Sequence, residues 1–210
     1  MDKNTIDYEA KKAFVKDSNQ EFDTIVRRFT VADTSLNAEQ LACAYYASPF
    51  AGYKPLSSLV DTANKLYRIR DYRVAYYMYR DALEQSPFSL LLLKKAANCC
   101  FFGVIDSAAT ASLRAQVKML QEAILASGDG ASAATPIRVV QTSDAYQVLW
   151  DVMGVKDVLS CEVVDGGDGE PVDELLVQVR DEKEPRKVYV ACYGETEADR
   201  ADFFIRKKGF

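Results

Sequence analysis

Histidine is missing from all 210 residues. Without it there is no Ser-His-Asp or Cys-His catalysis, no imidazole general base and no metal site that contains an imidazole ligand. The five cysteines, Cys43, Cys99, Cys100, Cys161 and Cys192, include no C-x-x-C pair. A four-thiolate zinc site therefore lacks its paired spacing. Cys99 and Cys100 sit together in an apolar stretch, a poor geometry for bridging each other. The thiols read as reduced, buried small hydrophobes, which fits a reducing compartment. No S-x-x-K occurs, so serine–lysine hydrolase chemistry has no local support.

Long apolar runs are missing too. The longest candidate, Phe88–Leu93, is far short of the roughly 20 residues a spanning helix needs. Positive charge is in deficit, with 26 Lys and Arg against 31 Asp and Glu and a net charge of −5. A phosphate-binding surface is normally strongly basic, so nucleic acid is not the expected partner. Met1-Asp2-Lys3-Asn4 is polar and shows no secretory pattern. The chain as given reads as cytoplasmic, or as exported to a periplasm if a leader has been removed.

What is present begins with Asp71–Pro87. Ala75, Tyr79 and Ala82 recur at i, i+4 and i+7, one face of a helix. The small residues let a neighbouring helix approach, and Tyr79 fills the gap between them. Pro87 stops the helix. Upstream, Leu59, Ala63 and Leu66 predict a first helix, with Arg70-Asp71-Tyr72 as a short turn. This pair resembles a tetratricopeptide repeat, whose second helix carries Ala, a bulky aromatic, then Ala, and ends at Pro. The first helix departs from that family at Leu59, Thr62 and Ala63. One period of about 34 residues further on lie Leu93, Ala97 and Cys100, which predicts a second, degenerate hairpin completed by Leu113–Ala126. An ordinary helical hairpin without repeat ancestry is the other reading.

Asp7–Asp17 and Gln20–Arg28 predict two short helices, the second with Phe22, Ile25 and Val26 inward. Asn37 and Gln40 form a capping-box pair ahead of a helix over Ala38–Ala47. Ser48–Pro55 breaks the chain, and Phe50 and Tyr53 there are expected to lie over the helical core. Tyr72, Tyr76, Tyr77 and Tyr79 at helical spacing predict core and rim packing rather than ligand stacking. Phe88–Phe102, apolar around its circumference, predicts a buried helix. Gly103–Thr110 reads as a connector.

The pattern then changes. Ser127–Pro136 is a small, polar loop. Ile137–Gln141 reads as a strand, and Asp144–Met153 as a helix capped by Ser143 or Asp144 and stopped by Gly154. Val158–Val164, Leu175–Arg180 and Lys187–Tyr193 alternate with period two, which predicts a half-buried antiparallel sheet. In the first of them Leu159, Cys161 and Val163 are expected to face inward. Glu195–Asp202 reads as a short helix and Phe203-Phe204-Ile205 as an apolar clamp. The fold class is α+β: N-terminal tetratricopeptide-like antiparallel hairpins over residues 1–127, then a small, mainly antiparallel sheet with one main helix over 128–210. Ser127-Gly128-Asp129-Gly130, Ser132 and Asp144-Ala145-Tyr146 give the layout a resemblance to an uncharacterised bacterial family with a helical half joined to a small α+β half. That resemblance implies architecture, and often export, but no mechanism.

Two glycine-rich stretches invite chemistry. Ser127-Gly-Asp-Gly130 follows a helix and opens a strand, the reverse of a phosphate loop, and reads as a helix stop plus turn. Asp165-Gly-Gly-Asp-Gly-Glu170, with Asp173 and Glu174, offers hard oxygens for calcium but lacks the EF-hand spacing. It reads as a solvated hairpin tip. No cofactor or metal is expected. The positive functional reading is a peptide groove. In tetratricopeptide arrays the first helices line a concave face, and that resemblance puts Asn64 and Asn98 at equivalent places, with Arg68 and Lys94 beside them. Asn clamps a peptide backbone, and Arg or Lys holds a carboxylate. The expectation is a non-enzymatic interaction module that binds a short peptide or protein terminus. The alternative is a carboxylate- or tyrosine-based, hydrolase-like enzyme with a cleft between the halves. A weaker third reading puts function in the sheet half, through strand addition at an exposed edge.

Overall fold

The computed structural model describes residues 6–53, 58–167 and 170–193. The side chains of Ser58 and Leu59 lie outside that description, as do the expected helix over 195–202 and the apolar clamp at 203–205. Among the described residues there are eight α-helices, one 3-10 turn and four strands. The fold is α+β. The chain divides into two compact units: Asp7–Ala123, and a second formed by Ile124–Phe210 with Met1–Ile6.

The first unit starts with α1 (Tyr8–Asp17) and α2 (Asn19–Thr30). Asp7 caps α1 by accepting from the Ala10 N–H at 2.9 Å. In α2 the buried stripe is Phe22, Ile25 and Phe29, while Val26 is only half-buried. Helix α3 (Ala38–Ala47) has its capping box at Asn37 and Gln40, both reciprocal bonds present. The 3-10 turn Ser48–Ala51 follows. Tyr53 then lies against Phe22 and Phe88, with ring centroids 6.2 and 6.5 Å away. An aromatic from the loop thus covers the helical core, as the composition of that loop implied.

Next come α4 (Ser58–Arg68), α5 (Tyr72–Gln85), α6 (Leu90–Phe102) and α7 (Ser107–Leu125). Helix α5 packs against both α4 and α6. Its buried face is Ala75, Tyr76, Tyr79 and Ala82. In α6 the buried set is Leu90, Leu92, Leu93, Ala96, Ala97, Cys99 and Cys100, but Phe101 and Phe102 emerge into solvent. Helix α7 begins six residues before Leu113. Asp106 Oδ1 accepts from the Ala108 and Ala109 N–H groups at 2.8 and 3.1 Å, so a cap starts the helix before its apolar stripe does.

Helices α2, α4 and α6 end alike. A left-handed residue follows each: Ala32 (φ 56°), Arg70 (φ 65°) and Val104 (φ 47°). The next N–H reaches back five residues, from Asp33 to Arg28, Asp71 to Leu66 and Ile105 to Cys100. This is the paired-bond stop that closes orphan carbonyls at a helix C-terminus. Arg70 and Val104 stand 34 positions apart.

In the second unit β1 (Ile137–Val139), β2 (Val155–Asp165), β3 (Pro171–Val179) and β4 (Arg186–Cys192) form one sheet in the order β1-β4-β3-β2. β1 runs parallel to β4; the other pairs are antiparallel. Helix α8 (Thr142–Asp151) packs on β1, β2 and β4, and every residue from Thr142 to Leu149 is buried. Its cap position is Gln141, without a side-chain cap bond, two or three residues before the Ser143 or Asp144 read from the sequence. β2 is an edge strand with two register shifts, between Val155 and Asp157 and between Val158 and Ser160. These bulges break the alternation expected from the sequence. Leu159 and Val163 are both exposed and Cys161 is only half-buried, so none of the three is buried as expected, although Val158, Cys161 and Val163 stand opposite Val177, Leu175 and Asp173.

Candidate functional site

The four residues proposed as a peptide face all lie on α4 and α6. Asn64 is half-buried, and its Oδ1 accepts from the Tyr79 hydroxyl at 2.7 Å. Its carbonyl is therefore engaged by α5. Arg68, one turn on, is exposed, while Lys94 and Asn98 on α6 are half-buried.

Two further residues join this face, and sequence reasoning passed over both. Lys95 Nζ lies over the Tyr67 ring, 4.0 Å from its centroid, which joins α6 to α4 through a cation–π contact. Burial is the main cause that holds the Lys95 ammonium below its ordinary value. Cys99 opposes this, and the charges of Arg68 and Lys94 add to it. Arg68, Lys94 and Lys95 thus share one electrostatic neighbourhood. Burial, again the first cause, pushes the Tyr79 phenol well above its usual range, with Cys99 and Tyr67 contributing and Arg68 opposing. Mapping by repeat position selected Lys94 and skipped its neighbour. The available signal was a lysine inside an otherwise apolar helix.

The result is three cations, two amides and the Tyr67 ring on α4 and α6, with the buried Tyr79 hydroxyl behind Asn64.

The glycine-rich motifs resolve as turns. Asp129 Oδ1 accepts from the Ala131 N–H at 2.9 Å and the Thr135 hydroxyl at 2.7 Å, which holds its carboxyl below the ordinary range. Gly130 N–H donates to the Thr135 carbonyl, and the Gly130 carbonyl accepts from Tyr189 of β4. In the second motif Asp165 Oδ1 accepts from Gly167 N–H at 2.9 Å. Glu170 pairs with the buried Arg138 at 3.1 Å, so it is tied to β1 rather than simply solvated. Asp168 lies outside the described residues. Among the described residues no group of three or more His, Cys, Asp or Glu side chains is placed to hold a metal ion.

A separate cavity of about 280 Å³ opens among α5, α6 and α7, lined by Tyr76, Leu83, Leu93, Leu113 and Gln116 among others. Gln116 Nε2 donates to the Thr30 carbonyl at 2.7 Å beside it. No described helix is long and apolar enough to cross a membrane.

Neither the curated proteins nor the solved structures contain a match to this chain. One protein family does match, over residues 9–166, which takes in α1 but for Tyr8, α2 to α8, β1 and β2. The chain belongs to the family described as Domain of unknown function (DUF4919).

Proposed function

We propose that the helical residues 1–127 are a non-enzymatic protein-interaction module, that 128–210 form a small α+β companion domain, and that the α4/α6 face binds a short peptide or protein terminus. The observation that carries this is Lys95 of α6 lying over the Tyr67 ring of α4, 4.0 Å from its centroid, with Arg68 next to Tyr67 and Lys94 next to Lys95 in a chain of net charge −5. Cations on one face are a means of holding a carboxylate. Tetratricopeptide-like ancestry is part of the same reading. It is supported by the 34-position spacing of the two left-handed stops, and by Asn64 and Asn98 at the same spacing.

The test is titration of the full chain with synthetic peptides ending in Asp or Glu, each with a free and an amidated C-terminus. Binding that weakens about tenfold in Arg68→Ala/Lys94→Ala and Asn98→Ala supports the reading. Affinity unchanged in both variants, or equal for the amidated peptides, ends it.

A further inference from the structure

Two turns, α4–α5 and α6–α7, meet at one edge of the helical unit, and that edge is built unlike the rest of the surface. Four rings run across it in sequence: Tyr67 to Tyr72 at 5.6 Å, Tyr72 to Phe102 at 5.6 Å, and Phe102 to Phe101 at 5.3 Å. Phe101 and Phe102 are 52% and 54% exposed, and each turn carries an apolar side chain facing water, Ile69 at 74% and Val104 at 87%. Val104 is a β-branched residue at φ 47°, in a conformation that glycine tolerates and valine does not. An apolar patch that is both exposed and conformationally costly marks a contact surface rather than a folding element.

Charge selects the occupant. Arg114 lies 4.8 Å from the Phe101 centroid, and Arg70 and Arg73 flank Tyr72 in the chain. No described carboxylate lies within ion-pair distance of any of the three. The two acids at the turns, Asp71 and Asp106, cap α5 and α7. We propose that this edge docks an acidic protein segment that carries large apolar side chains, the apolar groups on the ring ladder and the carboxylates on the arginines. Rigid aromatics interleaved with Arg are what concentrate binding energy at protein interfaces. A membrane surface fits less well. Arg114 and Lys95 lie over the end rings, so burying the ladder in hydrocarbon would bury those charges with it.

The proposal shares Tyr67 and Lys95 with the peptide face but needs none of Asn64, Arg68, Lys94 and Asn98, and it stands if those four bind nothing. The experiment uses the full chain, a fluorescent dodecapeptide alternating Asp or Glu with Phe and Leu, the same peptide with Ser for the apolar residues, and vesicles containing phosphatidylserine. The apolar acidic peptide is expected to bind, the Ser version to bind about tenfold more weakly, and added salt to weaken both. Ile69→Ser/Val104→Gly and Arg70→Glu/Arg114→Glu each lower affinity about tenfold or more, whereas Arg68→Ala/Lys94→Ala does not. Circular dichroism melts show that each variant is folded. No binding at millimolar peptide, equal binding to the Ser peptide, insensitivity to the edge variants, or vesicle binding in preference to peptide would each overturn the proposal. So would concentration-dependent self-association that Ile69→Ser/Val104→Gly abolishes.

Discussion

The Tyr79 hydroxyl on α5 donates to Asn64 Oδ1 on α4 at 2.7 Å, across the core of the hairpin. Tyr79 is fully buried and Asn64 half-buried, so this bond is largely shielded from water. Removing the hydroxyl leaves a half-buried carbonyl unpaired, which costs more than the bond itself contributes. Tyr79→Phe is expected to lower stability by about 1–2 kcal/mol. The Tyr79→Phe/Asn64→Ala cycle should show a coupling of about 1 kcal/mol in urea unfolding. Additive single effects would mean that the bond does not join the helices.

The same burial sets an alkaline limit. Tyr79 and Tyr146 are both pushed up from 10.0, first by desolvation. In the folded chain they keep their protons at a pH where the unfolded chain has released them. The unfolded state then binds fewer protons, so stability falls as pH rises above about 10. Tyr79→Phe removes one of these groups and is expected to flatten that decline between about pH 10 and 11.5. A decline of unchanged slope in urea melts across this range would be the contrary result.

On the acid side Asp33 is the group to follow. Bonds from the Ser35 side chain, Arg28 and the Ser35 N–H, in that order, hold its carboxyl at about 2, down from 3.8. A depressed carboxylate contributes stability that is present above its unfolded value and lost as pH falls through the folded one. The window is therefore from about pH 4 down to 2. Asp33→Asn should destabilise the chain at neutral pH and lose less stability than wild type between those values. Thermal melts of both proteins across that range decide it.

What could be read in the residues followed local chemistry. Asn37 and Gln40 announced α3 because a capping box is written in two side chains three apart. Ala75, Tyr79 and Ala82 announced the packed face of α5 because small–large–small spacing has one helical solution. Alternation in β2 was misleading, since a bulge is a backbone event that leaves no residue signature in Val155–Ser160. The start of α7 was hidden because Asp106 caps it ahead of any apolar stripe. At the candidate face Asn64, Arg68, Lys94 and Asn98 came from repeat spacing. Lys95 on Tyr67, and the ring ladder from Tyr67 to Phe101, are contacts between helices, and no single helix's periodicity encodes them.

Gly128 separates a structural glycine from a binding one. A Cβ built there would meet the Pro136 carbonyl and come within 2.7 Å of the Thr135 carbonyl. Both are backbone atoms of the same turn, so neither can step aside cheaply. Gly128→Ala should cost about 1–3 kcal/mol, the range for forced overpacking. Gly52, at φ 78° with nothing within 4 Å of its added Cβ, should cost about 1–2 kcal/mol on replacement by Ala, through backbone strain alone. If Gly128→Ala were neutral in thermal melts, close packing would not explain the motif.

Val104 offers the reverse case, where a natural residue works against the fold. Its φ of 47° crowds Cβ against the backbone at a cost of roughly 1–2 kcal/mol. Glycine relieves that crowding but gives back roughly 0.5–1 kcal/mol, because it raises the chain entropy of the unfolded state. The side chain is 87% exposed, so its removal forfeits little apolar contact. Val104→Gly is therefore expected to leave stability unchanged or raise it by up to about 1 kcal/mol, even as it weakens docking at the edge. Stability that rises while affinity falls would locate the reason for the valine in what it touches outside the chain. A variant destabilised by more than about 1 kcal/mol would instead place that reason inside the fold.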